Sequence, residues 1–412
     1  MAKFQVNAYP HLHSGRSTHK YMLDLPLTTY PMAIVAMLFQ FLYVTMYLDA
    51  TFTEGIVVAI RAGLVIFTGV FSCIAAESIW NRYVLKEYDD FAGWFRSMAT
   101  SYPSITGMLY ALSLPFGTPL YVVIIGGFVA IIIGKSIFGG VGNNIFNPAL
   151  VGRAFITIAF TSLMQQALNY QAIPFTFNLS SIIFGINPEI SSTVDAISSA
   201  SPLTIAAKEG LISYATIKEI YGSFLRIFLG FYPSALGESL SFWIILAFIY
   251  LSIKKTINWF VPVIYVGLVF LMTWAVALLN QDVIQWTTLS EGLSLNTFGI
   301  YFPLFYVLTG GLLFGAVFMA TEPVTQPITK KGRVIFAIYL AIITFVIRML
   351  GNLPEGVLFS ILFMNMFTPI IDNALMGQRK GISKKEILFW IITGLIIVGI
   401  TYYTSIRLGG AL

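Results

Sequence analysis

The sequence predicts an all-α, polytopic membrane protein, and three observations carry that prediction. Of 412 residues, 57% are apolar and only 10% are charged, and the mean hydropathy is +0.83. A soluble domain is roughly a quarter charged, so this chain has too little charge to coat a water-facing surface of its size. The apolar residues also come in continuous runs, without the alternation of a membrane β-barrel. A soluble enzyme, a disordered scaffold and a nucleic-acid binder are excluded on these grounds. The formal net charge of +5 does not alter this, because the basic residues sit in short loops between the runs.

A bilayer core of about 30 Å takes roughly 20 apolar residues per helix. Runs of that kind occupy 31–49, 57–80, 118–135, 148–167, 237–253, 258–279, 302–320, 332–349, 355–376 and 386–405. About ten transmembrane helices are therefore expected. A half-length segment at 103–114 is bracketed by Pro103 and Pro115. No apolar stretch precedes residue 31, so no cleaved signal peptide is expected.

Basic residues orient the loops, since cytoplasmic loops are enriched in Lys and Arg. Lys3, Arg16 and Lys20 place the N-terminal tail inside, and Arg82, Lys86 and Arg96 do the same for 81–99. Lys254 and Lys255, then Lys330, Lys331 and Arg333, then Arg379, Lys380, Lys384 and Lys385 mark further inside loops. Stretches 168–207 and 280–301 contain no Lys or Arg, so both should face outside. The expected organisation is a cytoplasmic tail (1–30), a first transmembrane repeat (31–167) and an extracytoplasmic loop with an amphipathic segment (168–236). A second repeat (237–376) and a C-terminal helix and tail (377–412) follow. Within the amphipathic segment, 203–231 reads as one or two helices on the outer membrane surface, or as a lid over the loop.

Each half contains a stretch broken by Gly, Pro and polar residues at membrane depth: Phe138 to Pro148 in the first, Phe318 to Thr329 in the second. Paired breaks of this kind mark an inverted-repeat fold with its site at the break, although ordinary cytoplasmic turns would read the same way. Arg61, Glu77, Arg348 and Glu355 lie in or beside spans, where ionisable groups are costly and usually paired, so they read as braces of the bundle. The single cysteine, Cys73, cannot form an internal disulfide or hold an iron–sulfur cluster alone. The three histidines, His11, His13 and His19, read as part of a solvated tail. Any redox chemistry in this protein must therefore come from a bound organic cofactor. Asp372, beside Asn365 and Thr368, offers oxygen ligands for a hard cation such as Na⁺.

The outer loop contains Asp195-Ala-Ile-Ser198-Ser-Ala200-Ser201-Pro202. A Ser-rich loop is by default a connector. Here, however, Asp195, Ser198, Ala200 and Ser201 resemble the flavinylation motif Asp-x-x-Ser/Thr-Gly-Ala-Thr/Ser, whose last hydroxyl receives FMN from a dedicated flavin transferase. Gly139 to Ala149, Gly237-Glu238-Ser239, Phe318 to Thr325 and Ile347 to Gly356 agree in order. Together these blocks resemble the family that contains the D component of the Rnf ion-translocating ferredoxin:NAD⁺ oxidoreductase and the B component of the sodium-translocating NADH:quinone reductase. Two positions depart from the motif: Ser201 replaces the usual threonine, and Ser199 the usual glycine. The opening Tyr9 to Thr18 is more similar to the Rnf component, whereas Asn147 to Phe155 is more similar to that of the quinone reductase. The Rnf component is favoured.

The resemblance implies a urea-transporter-like fold of two inverted repeats in the bacterial inner membrane. It implies covalent FMN on Ser201 near the outer face and a non-covalent riboflavin within the membrane. It also implies partner subunits that pass electrons through these flavins, coupled to Na⁺ or H⁺ movement. Asn143, Asn144 and Asn147 offer amides to a flavin's polar edge, and Thr321 and Glu322 form the matching wall, unless these residues merely cap broken helices. A cofactor-free channel with the same fold is the alternative from another class, and the motif at Ser201 speaks against it.

Overall fold

The computed structural model describes residues 22–48, 50–168, 213–288, 294–351, 356–375 and 384–409, together with Ile183, Pro202, Leu203, Gly210 and Leu211. Caps and prolines set where its helices begin. Pro26 opens α1 (Pro26–Tyr47), and the first span extends back to Met22, earlier than the apolar run. Asp24 is tolerated there because Thr256 Oγ1 donates to its carboxylate at 2.6 Å. Helix α2 (Phe52–Ile79) starts in a capping box: Glu54 N–H donates to Thr51 Oγ1 and Thr51 N–H to the Glu54 carboxylate. It continues through a π-helical turn, Trp80–Val84.

A short amphipathic helix, α3 (Phe91–Ser101), leads into the half-length α4 (Pro103–Leu112) and then α5 (Leu120–Ile132). Asn147 caps α6 (Pro148–Ala159), and α7 (Thr161–Gln166) follows. Later in the chain come α8 (Tyr214–Tyr221), α9 (Phe224–Leu229), α10 (Ser241–Ile253), α11 (Phe260–Leu279) and α12 (Gln281–Ile284). The chain ends with α13 (Tyr301–Leu308), α14 (Leu312–Phe314, prolonged by a π turn to Met319), α15 (Lys330–Leu350), α16 (Gly356–Leu375) and α17 (Lys384–Gly409). The protein is all-α and built to span a membrane, as its apolar runs require.

Among the described residues seven helices are long and apolar enough to cross a membrane, and eight if α13 and α14 count as one bent span. The ten apolar runs differ from this in three places. Run 148–167 is interrupted at Phe160, where φ is −125°. Run 237–253 becomes helical only at Ser241. Run 302–320 bends by 64° at Thr309-Gly310-Gly311, where Gly310 takes a left-handed φ of +69°.

Broken helices leave carbonyls that lipid cannot satisfy. The segment before α10 meets that need for both halves. Gly237 N–H donates to Leu112 O (2.7 Å) and Leu236 N–H to Leu114 O (2.9 Å) at the end of α4. Tyr232 Oη (2.9 Å) and Ser241 Oγ (3.1 Å) donate to Leu308 O at the end of α13.

Helices α2, α4, α5 and α6 pack closely in one core. A Cβ at Gly126 would collide with the Tyr110 hydroxyl, and one at Gly152 would come within 2.6 Å of Gly126 O. Small residues at such crossings let helices approach within a membrane. A second core gathers Ile217, Tyr221, Ile227, Tyr301, Phe305 and Phe345. Helices α8 and α9 thus bury an apolar face against α13: Tyr214 lies 4.9 Å from Tyr301 between ring centroids. Leu203 is buried in the same core. Large apolar side chains such as Ile34, Phe67 and Leu395 are exposed on the outside of the bundle, where lipid would cover them.

Candidate functional site

The two breaks meet. After α5 the chain turns through Gly139, Gly140 and Gly142, all with φ between +88° and +102°. A side chain at Gly140 or Gly142 would meet nothing within 4 Å. These glycines are there for backbone conformation and not for space. The turn delivers Asn144 and Asn147 to one wall of a cleft, and the end of α14 delivers Thr321 and Glu322 to the other. The cleft with its open mouth holds about 650 Å³ of empty space, and Ser101, Tyr102, Thr106 and Lys135 add to its polar lining. Tyr102 holds a left-handed φ of +52°, strained for a non-glycine residue, as it joins α3 to α4.

The walls are linked directly. Asn144 Nδ2 donates to Glu322 Oε1 at 3.4 Å and to Phe146 O at 3.0 Å. Glu322 Oε2 accepts from Thr325 Oγ1 at 3.1 Å. Asn147 Oδ1 caps α6 by accepting from Leu150 N–H at 3.3 Å. Its own N–H reaches the Asn365 amide oxygen at 3.2 Å, in the amide orientation that also lets Asn365 donate to Ile361 O. Thr321 Oγ1 donates within its helix to Val317 O at 2.6 Å. Asn143 does not join this set. It is exposed and donates to Gly139 O within its own turn at 3.3 Å.

The charged residues expected as braces behave differently from one another. Glu77 is paired with Lys135 at 2.7 Å, both side chains only 3% exposed. Arg61 donates to Gly117 O (3.2 Å) and Arg348 to Tyr306 O (2.7 Å), so backbone carbonyls near the helix breaks engage both. Arg348, Arg153 and Glu238 line a second cavity of about 330 Å³ beside Gly311. Glu355 lies outside the described residues.

Sequence reasoning overlooked Lys135, although a signal was present. Glu77 sits in one apolar run and Lys135 at the end of another, and intramembrane charges seek each other. Asp372, Asn365 and Thr368, the candidate oxygen ligands, each bond backbone groups. Asp372 accepts from Ile328 N–H (3.0 Å) and Thr368 donates to Thr325 O (2.9 Å), each tying α16 to the second break. No group of three or more His, Cys, Asp or Glu side chains suited to a metal occurs among the described residues. Asp195, Ser198, Ala200 and Ser201 lie outside the described residues. Leu203, two positions on, is held so close to Gly310 that a Cβ there would collide with it, and Arg348 Nη2 lies 3.2 Å from the same point.

A family model described as NQR2, RnfD, RnfE matches residues 5–381. The chain belongs to this family. It is 32% identical over 92% of its length to the D component of the proton-translocating ferredoxin:NAD⁺ oxidoreductase complex of Clostridium ljungdahlii, covering 96% of that protein. It is 29% identical over 92% to the D component of the ion-translocating oxidoreductase complex of Aliivibrio salmonicida, covering 99% of it. The D component of the Na⁺-translocating ferredoxin:NAD⁺ oxidoreductase complex of Acetobacterium woodii is 27% identical over 92% of the chain and is covered over 96%. Two of these relatives differ in the ion they are named for, proton or sodium, and all three are named as the same component of their complexes.

Proposed function

We propose that this chain is the D component, a membrane subunit, of an ion-translocating ferredoxin:NAD⁺ oxidoreductase. In this reading Ser201 carries FMN through a phosphoester and the cleft holds a non-covalent riboflavin. The observation that carries it is the meeting of both helix breaks in one cleft, to which each contributes polar groups. Small-molecule sites are usually apolar with a few convergent polar groups, and the lining of this cleft has that character. The residues suit a flavin: Asn144 and Asn147 bring amides, and Lys135 brings a positive charge to the wall.

A bound flavin supplies electron transfer in steps of one or two. The chain's own residues do the rest. Asn144 and Asn147 orient the ring's polar edge, and Glu322 offers a carboxylate for a proton. The apolar wall of Ile105, Leu109 and Phe318 excludes water. Gly139, Gly140 and Gly142 let the backbone turn without adding bulk. At the other site Ser201 contributes its Oγ to the phosphoester made by a flavin transferase, and partner subunits supply and remove the electrons.

Two measurements test the assignments separately. The full chain, co-expressed with a flavin transferase and denatured, should show a flavin-fluorescent gel band in wild type and Ser201→Thr and none in Ser201→Ala. An equally fluorescent Ser201→Ala band would exclude that residue. Acid extraction of the purified protein should release riboflavin from the cleft. A protein that releases none has a cleft with another occupant.

A further inference from the structure

Lys135 stands at the boundary between two spaces. It lines the cleft, while its partner Glu77 lines a neighbouring polar cavity with Asn81, Ser97 and Ser101. Its Nζ donates to Glu77 Oε2 at 2.7 Å and to Ser101 O at 2.5 Å. Two of the three N–H donors of the ammonium are engaged there, which fixes its charge at the cleft wall. The pair is buried, with 3% exposure on each side chain. A buried pair is a weak brace, because well-packed apolar residues of the same volume often hold a structure as well or better. A fixed cation in a low-dielectric wall acts strongly on a neighbour whose charge changes.

We propose that Lys135, held in place by Glu77, sets the redox potential of the cleft by stabilising the negative charge that a bound flavin ring acquires on reduction. This rests on the flavin reading of the cleft. One electron entering the neutral oxidised ring leaves one negative charge on it, and the Lys135 ammonium balances that charge without making or breaking a bond. The electron comes from a reduced iron–sulfur or flavin group of a partner subunit and passes on to the next such group. Glu77 fixes the ammonium at the wall and keeps its charge in the membrane. Glu322, on the opposite wall, keeps the oxidised site from becoming strongly positive. Lys135 is thus a positioning residue for charge, and the geometry gives it no part in holding the ring in place.

The test uses the full-length chain in detergent, with Ser201→Ala as background so that no covalent flavin contributes. The bound flavin is titrated against dithionite with mediator dyes, and thermal unfolding and acid-released flavin are measured on the same samples. Lys135→Met should retain releasable flavin while disfavouring the reduced form about tenfold, a fall in midpoint of about 59 mV for one electron. Lys135→Arg, which keeps the charge, should return most of that shift. Lys135→Met alone strands Glu77 and should lower thermal stability. Glu77→Gln with Lys135→Met removes both charges, so it should recover stability while the midpoint stays low. If the double variant recovers the midpoint together with stability, Lys135 is a brace only and the proposal fails. If Lys135→Met does not fold, the double variant alone decides. Flavin present with an unchanged midpoint would sink this inference and leave the flavin reading intact, whereas wild-type protein releasing no flavin would sink both.

Discussion

Asn147 has two roles, and substitution can separate them. Its Oδ1 caps α6, while its side chain lines the cleft. Asn147→Leu should lose the cap, at about 1 kcal/mol. It should also lose a ligand contact, at roughly 5- to 150-fold in affinity for a group whose removal costs about 1–3 kcal/mol. Asn147→Ser keeps a good cap and removes only the amide. We expect Asn147→Ser to melt near wild type yet release less flavin on acid extraction, and Asn147→Leu to fall on both measures. Equal flavin release from all three proteins would leave Asn147 as a cap alone. Asn143, by contrast, bonds its own turn and faces solvent, so Asn143→Ala should leave flavin content unchanged.

At the scale of elements, the close approach of α4, α5 and α6 is the most sequence-sensitive feature. Gly126 sits where the Tyr110 hydroxyl and Ile156 leave no room for a side chain. Gly126→Leu should therefore overpack the crossing, at about 1–3 kcal/mol or more, read as a lower midpoint of thermal unfolding in detergent. Gly140→Ala is a useful contrast. Nothing surrounds that position, so only the left-handed backbone is strained, at about 1–2 kcal/mol. A Gly126→Leu protein as stable as wild type would mean that α5 can slide away from α4. The half-helices α4 and α13 depend on donors from the segment before α10, which makes that connection a structural part of both halves.

At the scale of the whole molecule, loop charge predicts which side faces out. A cysteine introduced at Ser192, in the stretch without Lys or Arg, should react with an impermeant maleimide in intact cells. One at Ser383, beside Lys384 and Lys385, should not. The opposite labelling would invert every loop and put the Ser201 motif in the cytoplasm. The Glu77–Lys135 pair lies in the half whose loop carries Arg82, Lys86 and Arg96, which the same rule would place inside.

The sequence alone determined that the chain is helical and membrane-spanning, because sparse charge and continuous apolar runs admit no other solvent. It also marked both breaks and placed Asn143, Asn144, Asn147, Thr321 and Glu322 at them, of which all but Asn143 line the cleft, since Gly, Pro and polar residues stand out against apolar surroundings. Hydropathy did not reveal which runs are continuous helices. Run 302–320 is apolar throughout yet bends at Gly310, and run 148–167 stops at Phe160, because lipid accepts a bent apolar segment as readily as a straight one once other backbone groups satisfy its ends. Only the tertiary structure decided partners. Glu77 and Lys135 are 58 residues apart in the chain, and Asn144 and Glu322 are 178 apart. No periodicity encodes contacts of that range; the packing of α2 against α5, and of the first break against the second, creates them.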